Sequence, residues 1–442
     1  MKRALKCFAA GAAAVLLPPL LATPAAALPL VEDEANGITV EAGLEIGAGA
    51  FLTSNGAFGA TTSAAGLPLG TRNPRWVEGY LKPSLTGSFR TGAGTLFGGV
   101  SAVASATRGD GDALGFTPGN PEDIDLDEAY LGWKSGTLLG TLGEDAVSLS
   151  FGRQQFKVGD GFLIADGYLD QGRDGTYWLA PRRAFATAAL GQLNAGPVHA
   201  DLFHLRTEQR FDVFPADADT RATGINVELK DEALGSVGGL YMRVSDSDLP
   251  NRDGMNVYNL RARGTPVPPL PGLSLAAEVV WQRNGRTDVS DSAWYGEAGY
   301  ALPDLPWSPS VSYRYAQFGS RYDPLFYGFS GWGTWFMGEI VGQYMLFNTN
   351  EKAHMLHLSA KPLENLGVGV IGYRFMLDEP ASFGATSRHF ADEIDVYADW
   401  GVREGINLSA VYGVAFPGRA ARQIFGSNDT AHLFQVLGII SF

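Results

Sequence analysis

The feature that most constrains this chain is an alternation of apolar and polar residues with a period of two, repeated along most of its length and punctuated by turn residues. In Thr39–Phe51, Val40, Ala42, Leu44, Ile46 and Ala48 share one face, and Glu41, Gly43, Glu45 and Gly47 share the other. Leu273–Trp281 sets Leu275, Ala277, Val279 and Trp281 against Ser274, Ala276, Glu278 and Val280. Ala391–Gly401 sets Ile394, Val396, Ala398 and Trp400 against Glu393, Asp395, Tyr397 and Asp399, and Ile406–Val414 repeats the pattern. Successive side chains of a strand point to opposite faces, so alternation marks strands with two unlike sides. Segments of about ten residues suit strands tilted across a bilayer, whereas soluble strands are typically about 5–6 residues long. A large soluble β-sandwich or β-helix is the competing fold.

The connections sharpen the choice. One set is short and rich in Gly and Pro: Thr91–Thr95, Leu193–Pro197, Asp231–Ser236, Thr265–Gly272, Leu302–Pro309, Lys361–Gly367 and Gly401–Gly405. The other is longer and more polar: Thr53–Pro74, Arg108–Ile124, Phe156–Thr176, Thr207–Thr220, Asp378–Phe390 and Pro417–Thr430. Long and short alternate, as in outer-membrane barrels with short periplasmic turns and long extracellular loops. A generous reading counts an odd number of strands and strands the C-terminus on the wrong side. In Trp335–Phe347, however, Phe336, Met337, Ile340, Val341, Tyr344 and Met345 recur at helical spacing. Reading that piece as a short amphipathic helix in a long loop from Phe318 to Ala353 leaves about 18 strands and both termini in the periplasm. The expected fold is therefore an all-β, transmembrane antiparallel barrel over residues 28–442.

Residues 1–27 read as an export signal: basic Lys2, Arg3 and Lys6, an apolar run from Phe8 to Leu21, and small Ala25, Ala26 and Ala27 for cleavage. The run is broken by Pro18 and Pro19 and falls short of the roughly 20 apolar residues of a membrane helix. The chain has one Cys, Cys7 in the basic head, and a single Cys excludes a disulfide scaffold. A net charge of −14 argues against nucleic acid as a partner. The last strand, His432–Phe442, aligns Phe434, Val436, Gly438, Ile440 and the terminal Phe442 on one face. Such a strand suits recognition by the outer-membrane assembly machinery. Trp76, Trp133, Trp178, Trp281, Trp294 and Trp400 sit near strand ends, as interfacial girdle residues do.

Barrels of 16–18 strands leave an aqueous channel, so the count points to transport. The polar half of each strand should line it. On neighbouring strands, Arg243 and the pair Arg261 and Arg263 form an expected lumenal basic cluster; Lys82, Arg314, Lys361 and Arg374 fall in inward phase as well. Such a lining lowers the barrier for anions. Glu78, Glu128, Glu228, Glu278, Glu297, Asp395 and Asp399 also point inward, so an ion-paired wall is the alternative. The acidic stretch Asp110–Glu128 offers carboxylates for Ca²⁺ or is simply a solvated loop. No cofactor is implied.

One part of the chain carries a resemblance. Asp127–Lys134 reads DEAYLGWK, Leu149–Asp166 reads LSFGRQQFKVGDGFLIAD, and an aromatic, Arg-bearing strand follows at Tyr177–Phe185; later come Tyr322–Gly328, YDPLFYG, and the turn Asn348–Asn350. Over about residues 75–442 these resemble the alginate export family of outer-membrane porins. The resemblance implies an 18-stranded monomeric barrel whose Arg-rich constriction passes an acidic polysaccharide outward, with periplasmic secretion partners. Arg153 of the G-R-Q motif is the first residue to carry over, then Arg182 and Arg183. Pattern phase sets Arg153 with lipid-facing Val147, Leu149 and Phe151, so it sits at a loop mouth or on a bulge that turns it inward.

The expected function is thus a passive channel for an anionic polysaccharide or related anionic solute. Its expected filter is Arg153, Arg243, Arg261, Arg263 and Arg314. A general or substrate-selective nutrient uptake porin is the first rival, with Phe156–Thr176 folding inward as a filter in either case. An outer-membrane enzyme is the second. It needs a nucleophile, a base and an orienting group in reach. His354 and His357 lie in opposite phase, Phe329-Ser330-Gly331 does not complete G-x-S-x-G, and the G-D-G tripeptides at Gly109–Gly111 and Gly159–Gly161 lack phosphate-loop spacing. A purely structural barrel or adhesin requires a plugged lumen.

Overall fold

The computed structural model describes residues 27–33, 35–117, 119–210 and 218–442; the export signal read in residues 1–27 lies outside them but for its last residue. Antiparallel strands form a closed 18-stranded barrel. Its first strand, Ile38–Ser54, pairs on one edge with Arg75–Thr91 and on the other with the last, Ala431–Ser441, in the register Leu52↔Phe434 and Glu45↔Ser441. A short strand, Leu28–Asp33, pairs with Ile38–Ala42 along the same edge that the last strand occupies farther on. Among the described residues no helix is long and apolar enough to cross a membrane. The strands do so instead, because closure satisfies every backbone N–H and C=O within the wall.

The outer face confirms the alternation. Leu131 is 76% exposed and Phe151 64%, with Leu149, Leu202, Leu260 and Leu356 also turned outward. A contiguous apolar surface of this kind is incompatible with water and fits the hydrocarbon of a bilayer. Both termini of the barrel emerge beside the short turns, and the long connections gather at the opposite end.

Two of those long connections, 155–184 and 319–350, fold back into the barrel and meet inside it. Ala165 and Asp166 donate backbone N–H groups to Phe326 O at 2.7 and 3.0 Å, and Gly328 N–H reaches Gly161 O at 3.1 Å. Phe162, Tyr295 and Trp335 pack edge-on or tilted, with Trp335 centred 4.6 Å from Phe162 and 4.7 Å from Tyr295. The helix expected near Trp335–Phe347 is present as Gly338–Leu346, wound as a π-helix. It is not amphipathic in use: Glu339, Ile340, Val341, Tyr344 and Leu346 are all buried, because wall surrounds one side and the other inward loop the rest.

This filling explains where alternation misled. Inward residues need to be polar only where they meet water. Next to the packed loops they are apolar, so both faces of a strand are greasy and the phase loses its sign. On Gly235–Ser247, Leu240, Met242 and Val244 are the buried inner set, and Tyr241 and Arg243 face out. Arg243 is therefore not lumenal. On Leu366–Leu377, Tyr373 and Phe375 are inside, and Arg374 is outside, paired with Asp392. Trp76 and Trp178 also leave the girdle: Trp76 is 3% exposed, stacked 4.8 Å from Phe51 inside the wall, and Trp178 belongs to an inward loop. Trp281, Trp294 and Trp400 do face outward.

Candidate functional site

The site is built where the inward loop 155–184 approaches the wall formed by the strands from Thr220 to Phe318. Gly159 and Gly161, at φ +60° and +87°, turn the loop so that Asp160 between them faces the wall. A Cβ on Gly159 would lie 3.2 Å from Arg261 Cδ, and one on Gly161 2.9 Å from the Ala165 Cβ, so neither position accepts a side chain freely. Asp160 accepts from Arg263 Nη2 and from Tyr295 Oη, both at 2.8 Å.

Arg261, on Asn256–Gly264, donates to Asn226 Oδ1 at 2.7 Å, Glu228 Oε2 at 3.0 Å and Asn259 Oδ1 at 3.2 Å. Arg314, on Ser310–Phe318, meets Glu297 at 2.5 Å and Gly333 O at 2.6 Å, with its guanidinium 4.6 Å from the Trp335 ring. Arg261 clamps neighbouring wall strands, and Arg314 ties the wall to the second inward loop. Arg263 differs: its side chain stays 40% exposed and has one carboxylate partner. Beside it, Lys157 donates to Ser330 Oγ. Burial, and then with Asp160 opposing, the nearby Arg183 and Arg263 cations, hold the Lys157 ammonium below its usual range. The Arg183 backbone N–H donates to Asp127 Oδ1 at 3.1 Å, while its side chain reaches Ala180 O through Nε at 3.4 Å and has no carboxylate within ion-pair distance of the guanidinium among the described residues.

The remaining expected residues are structural in their contacts. Arg153 occupies a bulge: the pairing of Val147–Gln154 with Phe185–Ala195 slips between Gly152 and Gln154, with Gly152 at φ +137°. The slip turns Arg153 off the lipid-facing set, onto Asp127 O at 2.9 Å and Glu208 at 2.6 Å. Arg182 is buried on Ser105 Oγ, Val103 O and Asp123. Lys82 pairs with Asp127 at 2.6 Å. The stretch Asp110–Glu128 is not the loop it looked like over its second half. Asp123, Asp125 and Asp127 lie on the strand Glu122–Lys134 and face Arg182, Arg210 and Lys82. Among the described residues no His, Cys, Asp or Glu group is arranged to hold a metal ion.

Farther round the barrel the lumen is acidic. Glu393 accepts the Ile340 and Val341 N–H groups at 2.8 Å each, Asp395 accepts that of Glu339, and Glu78 accepts those of Trp178 and Leu179. Wall carboxylates thus strap both inward loops by their backbone amides. Glu339 itself takes N–H groups from Gln435 at 2.6 Å and Trp178 at 3.2 Å, with no cation paired to it among the described residues. Burial, then the Asp395 carboxylate, push the Glu339 carboxyl up to about 8. A carboxyl raised above its unfolded value binds more protons in the native state, so this contribution is complete at low pH and fades as pH rises toward 8. Channel recordings at pH 5 and pH 9 are expected to show a quieter, narrower pore at pH 5; equal noise and conductance at both would remove Glu339 from control of the loop.

Lys157, Asp160, Glu228, Arg261, Arg263 and Tyr295 border a cavity of about 230 Å³ on the short-turn side of the loop contact. Sequence reasoning reached Arg261 and Arg263 and missed Lys157 and Asp160. Both were in plain view within the KVGDG segment, whose two glycines around an acid were the available cue.

Comparison with known proteins follows the same line. Residues 102–320, just under half the chain, match the model of the alginate export family. No curated protein matches by sequence. Among solved structures, OccK9 (OpdG) of Pseudomonas aeruginosa superposes with a TM-score of 0.59 at 12% identity, over 91% of this chain and 98% of that one. OccAB4 of Acinetobacter baumannii gives 0.58 at 12% identity, with the same coverage. OpdK of Pseudomonas aeruginosa, solved with vanillate, gives 0.54 at 10% identity, again over 91% and 98%. These likenesses establish the fold.

Proposed function

We propose, starting from an outer-membrane β-barrel channel whose residues 102–320 match the alginate export family, that the chain passes carboxylate-bearing anionic solutes by diffusion. The observation that carries this is the group Lys157, Arg183 and Arg263, cations whose positive charge is not fully matched at the loop constriction. An entering carboxylate supplies the missing countercharge, which lowers the barrier for anions relative to cations. Arg261 and Arg314 act on cargo chiefly through shape, because Glu228 and Glu297 already match their charge. The work is binding and release, with no bond made or broken.

An acidic polysaccharide is the cargo that the family match favours. A substrate-selective uptake porin for small anions is favoured by a different observation: two loops packed into the lumen and a cavity of about 230 Å³ suit a short solute better than a polymer. In either reading the strand ending at Phe442 offers itself to the assembly machinery, and periplasmic secretion partners belong to the polymer reading alone.

Replacing Arg263 and Lys157 together by Glu is expected to shift ion selectivity in planar bilayers several-fold toward cations. Arg261→Glu is a poor test, since it places a second carboxylate against Glu228. Titrating uronate oligomers of increasing length separates the cargoes: block that strengthens with length supports the polymer, and block by monomers alone supports uptake. Unchanged selectivity in the double variant would sink the anion reading.

A further inference from the structure

A second cavity lies on the outside of the wall, at the seam where the first and last barrel strands meet. It measures about 310 Å³ and is lined by Ala50, Leu52, Val77, Phe434 and Val436, with Arg75 and Arg108 among its bordering residues. The five apolar residues are all in outward phase; Leu52 and Val77 are 49% and 50% exposed, and Phe434 and Val436 both 42%. Phe51 and Trp76, turned inward, form its floor.

Its position fixes its depth. Arg75 is the first residue of Arg75–Thr91, directly after a long connection, and Arg108 is the penultimate residue of Gly94–Gly109, directly before another. Both therefore stand at the long-loop rim, above an apolar groove that runs down into the hydrocarbon belt. Arg108 pairs with Val77 across the ladder, so Arg75 and Arg108 are diagonal neighbours on one face, about 7–8 Å apart at the backbone. Arg108 is already engaged, pairing with the exposed Glu122 and donating from Nη1 to the Thr107, Asn120 and Pro121 carbonyls, so a bound anion shares it with them. The Arg75 guanidinium has no carboxylate partner within ion-pair distance among the described residues. A guanidinium at a membrane interface calls for an anion, and its fork matches phosphate oxygens.

We infer that this seam groove is a binding site for an outer-leaflet lipid with a phosphorylated headgroup, its phosphate between Arg75 and Arg108 and an acyl chain along Leu52, Val77, Phe434 and Val436. The occupant is a lipid because the groove opens only toward the bilayer, and a phosphorylated one because the two cations at its mouth are aligned on one face. The site lies on the opposite side of the wall from the lumen and is independent of the cargo.

The test is native mass spectrometry of the detergent-purified barrel mixed with lipid A or with dephosphorylated lipid A. The native chain is expected to retain the phosphorylated lipid about tenfold more tightly than the dephosphorylated form, the loss of one charge-assisted contact pair. The R75Q/R108Q double variant is expected to lose that preference while its single-channel conductance stays at the native value, which shows the barrel is folded. R221Q, an outward arginine at the same rim that is already paired with Asp246, is expected to keep the preference. Equal retention of both lipids by the native chain, full retention by R75Q/R108Q, or an equal loss in R221Q would overturn the site.

Discussion

Replacing Arg314 by Ala is expected to cost about 3–5 kcal/mol of unfolding free energy, the largest effect of any single substitution in the lumen. Arg314 is 5% exposed and joins three things at once: the Glu297 carboxylate, the Gly333 carbonyl and the Trp335 ring. Removal leaves the Glu297 carboxylate, 13% exposed on the neighbouring strand, without countercharge, and a largely desolvated unpaired charge is what makes breaking such a pair costly. It also frees the second inward loop at its most packed point, where Trp335 sits between Phe162 and Tyr295. Urea unfolding in detergent micelles measures the first consequence, and open-channel noise in planar bilayers the second. The R314A/E297Q double variant is expected to recover part of the stability. If the double variant is no more stable than R314A, the ion pair is not what Arg314 contributes.

Excising the second inward loop is expected to change transport most. Asn350 N–H bonds to Gly319 O at 3.0 Å, so the two ends of the segment already touch and a short Gly-Ser turn in place of residues 321–347 closes the strands Ser310–Phe318 and Glu351–Leu363 as a hairpin. The inter-strand ladder that holds the barrel is untouched, with Phe318↔Glu351 still its outermost pair. What disappears is the packed interior: Trp335, the helix Gly338–Leu346 and the straps from Glu393 and Asp395. Barrels of 16–18 strands without such filling carry an aqueous channel, so single-channel conductance is expected to rise several-fold and ion selectivity to fall. A shortened chain that inserts into the bilayer at native conductance would mean that residues 321–347 do not obstruct the pore.

Two arginines show how far a pattern can be read. Arg153 falls in lipid-facing phase, yet a conformation open to Gly152 and closed to a branched residue lets the strand slip by one and carries the side chain inward. The conflict between its charge and its phase was visible in the sequence, and a bulge was the available resolution. Arg243 carried no such conflict. Leu240, Met242 and Val244 look like a lipid face, and nothing local tells them from an inner face covered by protein. What covers the lumen comes from inward loops tens of residues away in sequence, and period-two patterning holds no information on that range. The carboxylates repeat the lesson. Alternation places Asp395 inward with Glu393 on the same face, but their task, gripping the amides that open the helix at Gly338–Leu346, exists only once a distant loop has folded back.

The alternation of outward leucines with inward polar groups, the long and short connections taken in turn, and the closing strand were determined by the sequence alone, because each is a local consequence of side chains that project to opposite faces at every step. Membrane placement follows from them without any long-range contact. Which inward groups remain free to meet a solute was decided by the tertiary structure. Charges in a lumen are neutralised by whatever the loops bring to them, and Arg261, Arg314 and Arg182 are occupied while Lys157, Arg183 and Arg263 keep charge to offer, a division set by through-space pairing that no spacing along the chain records.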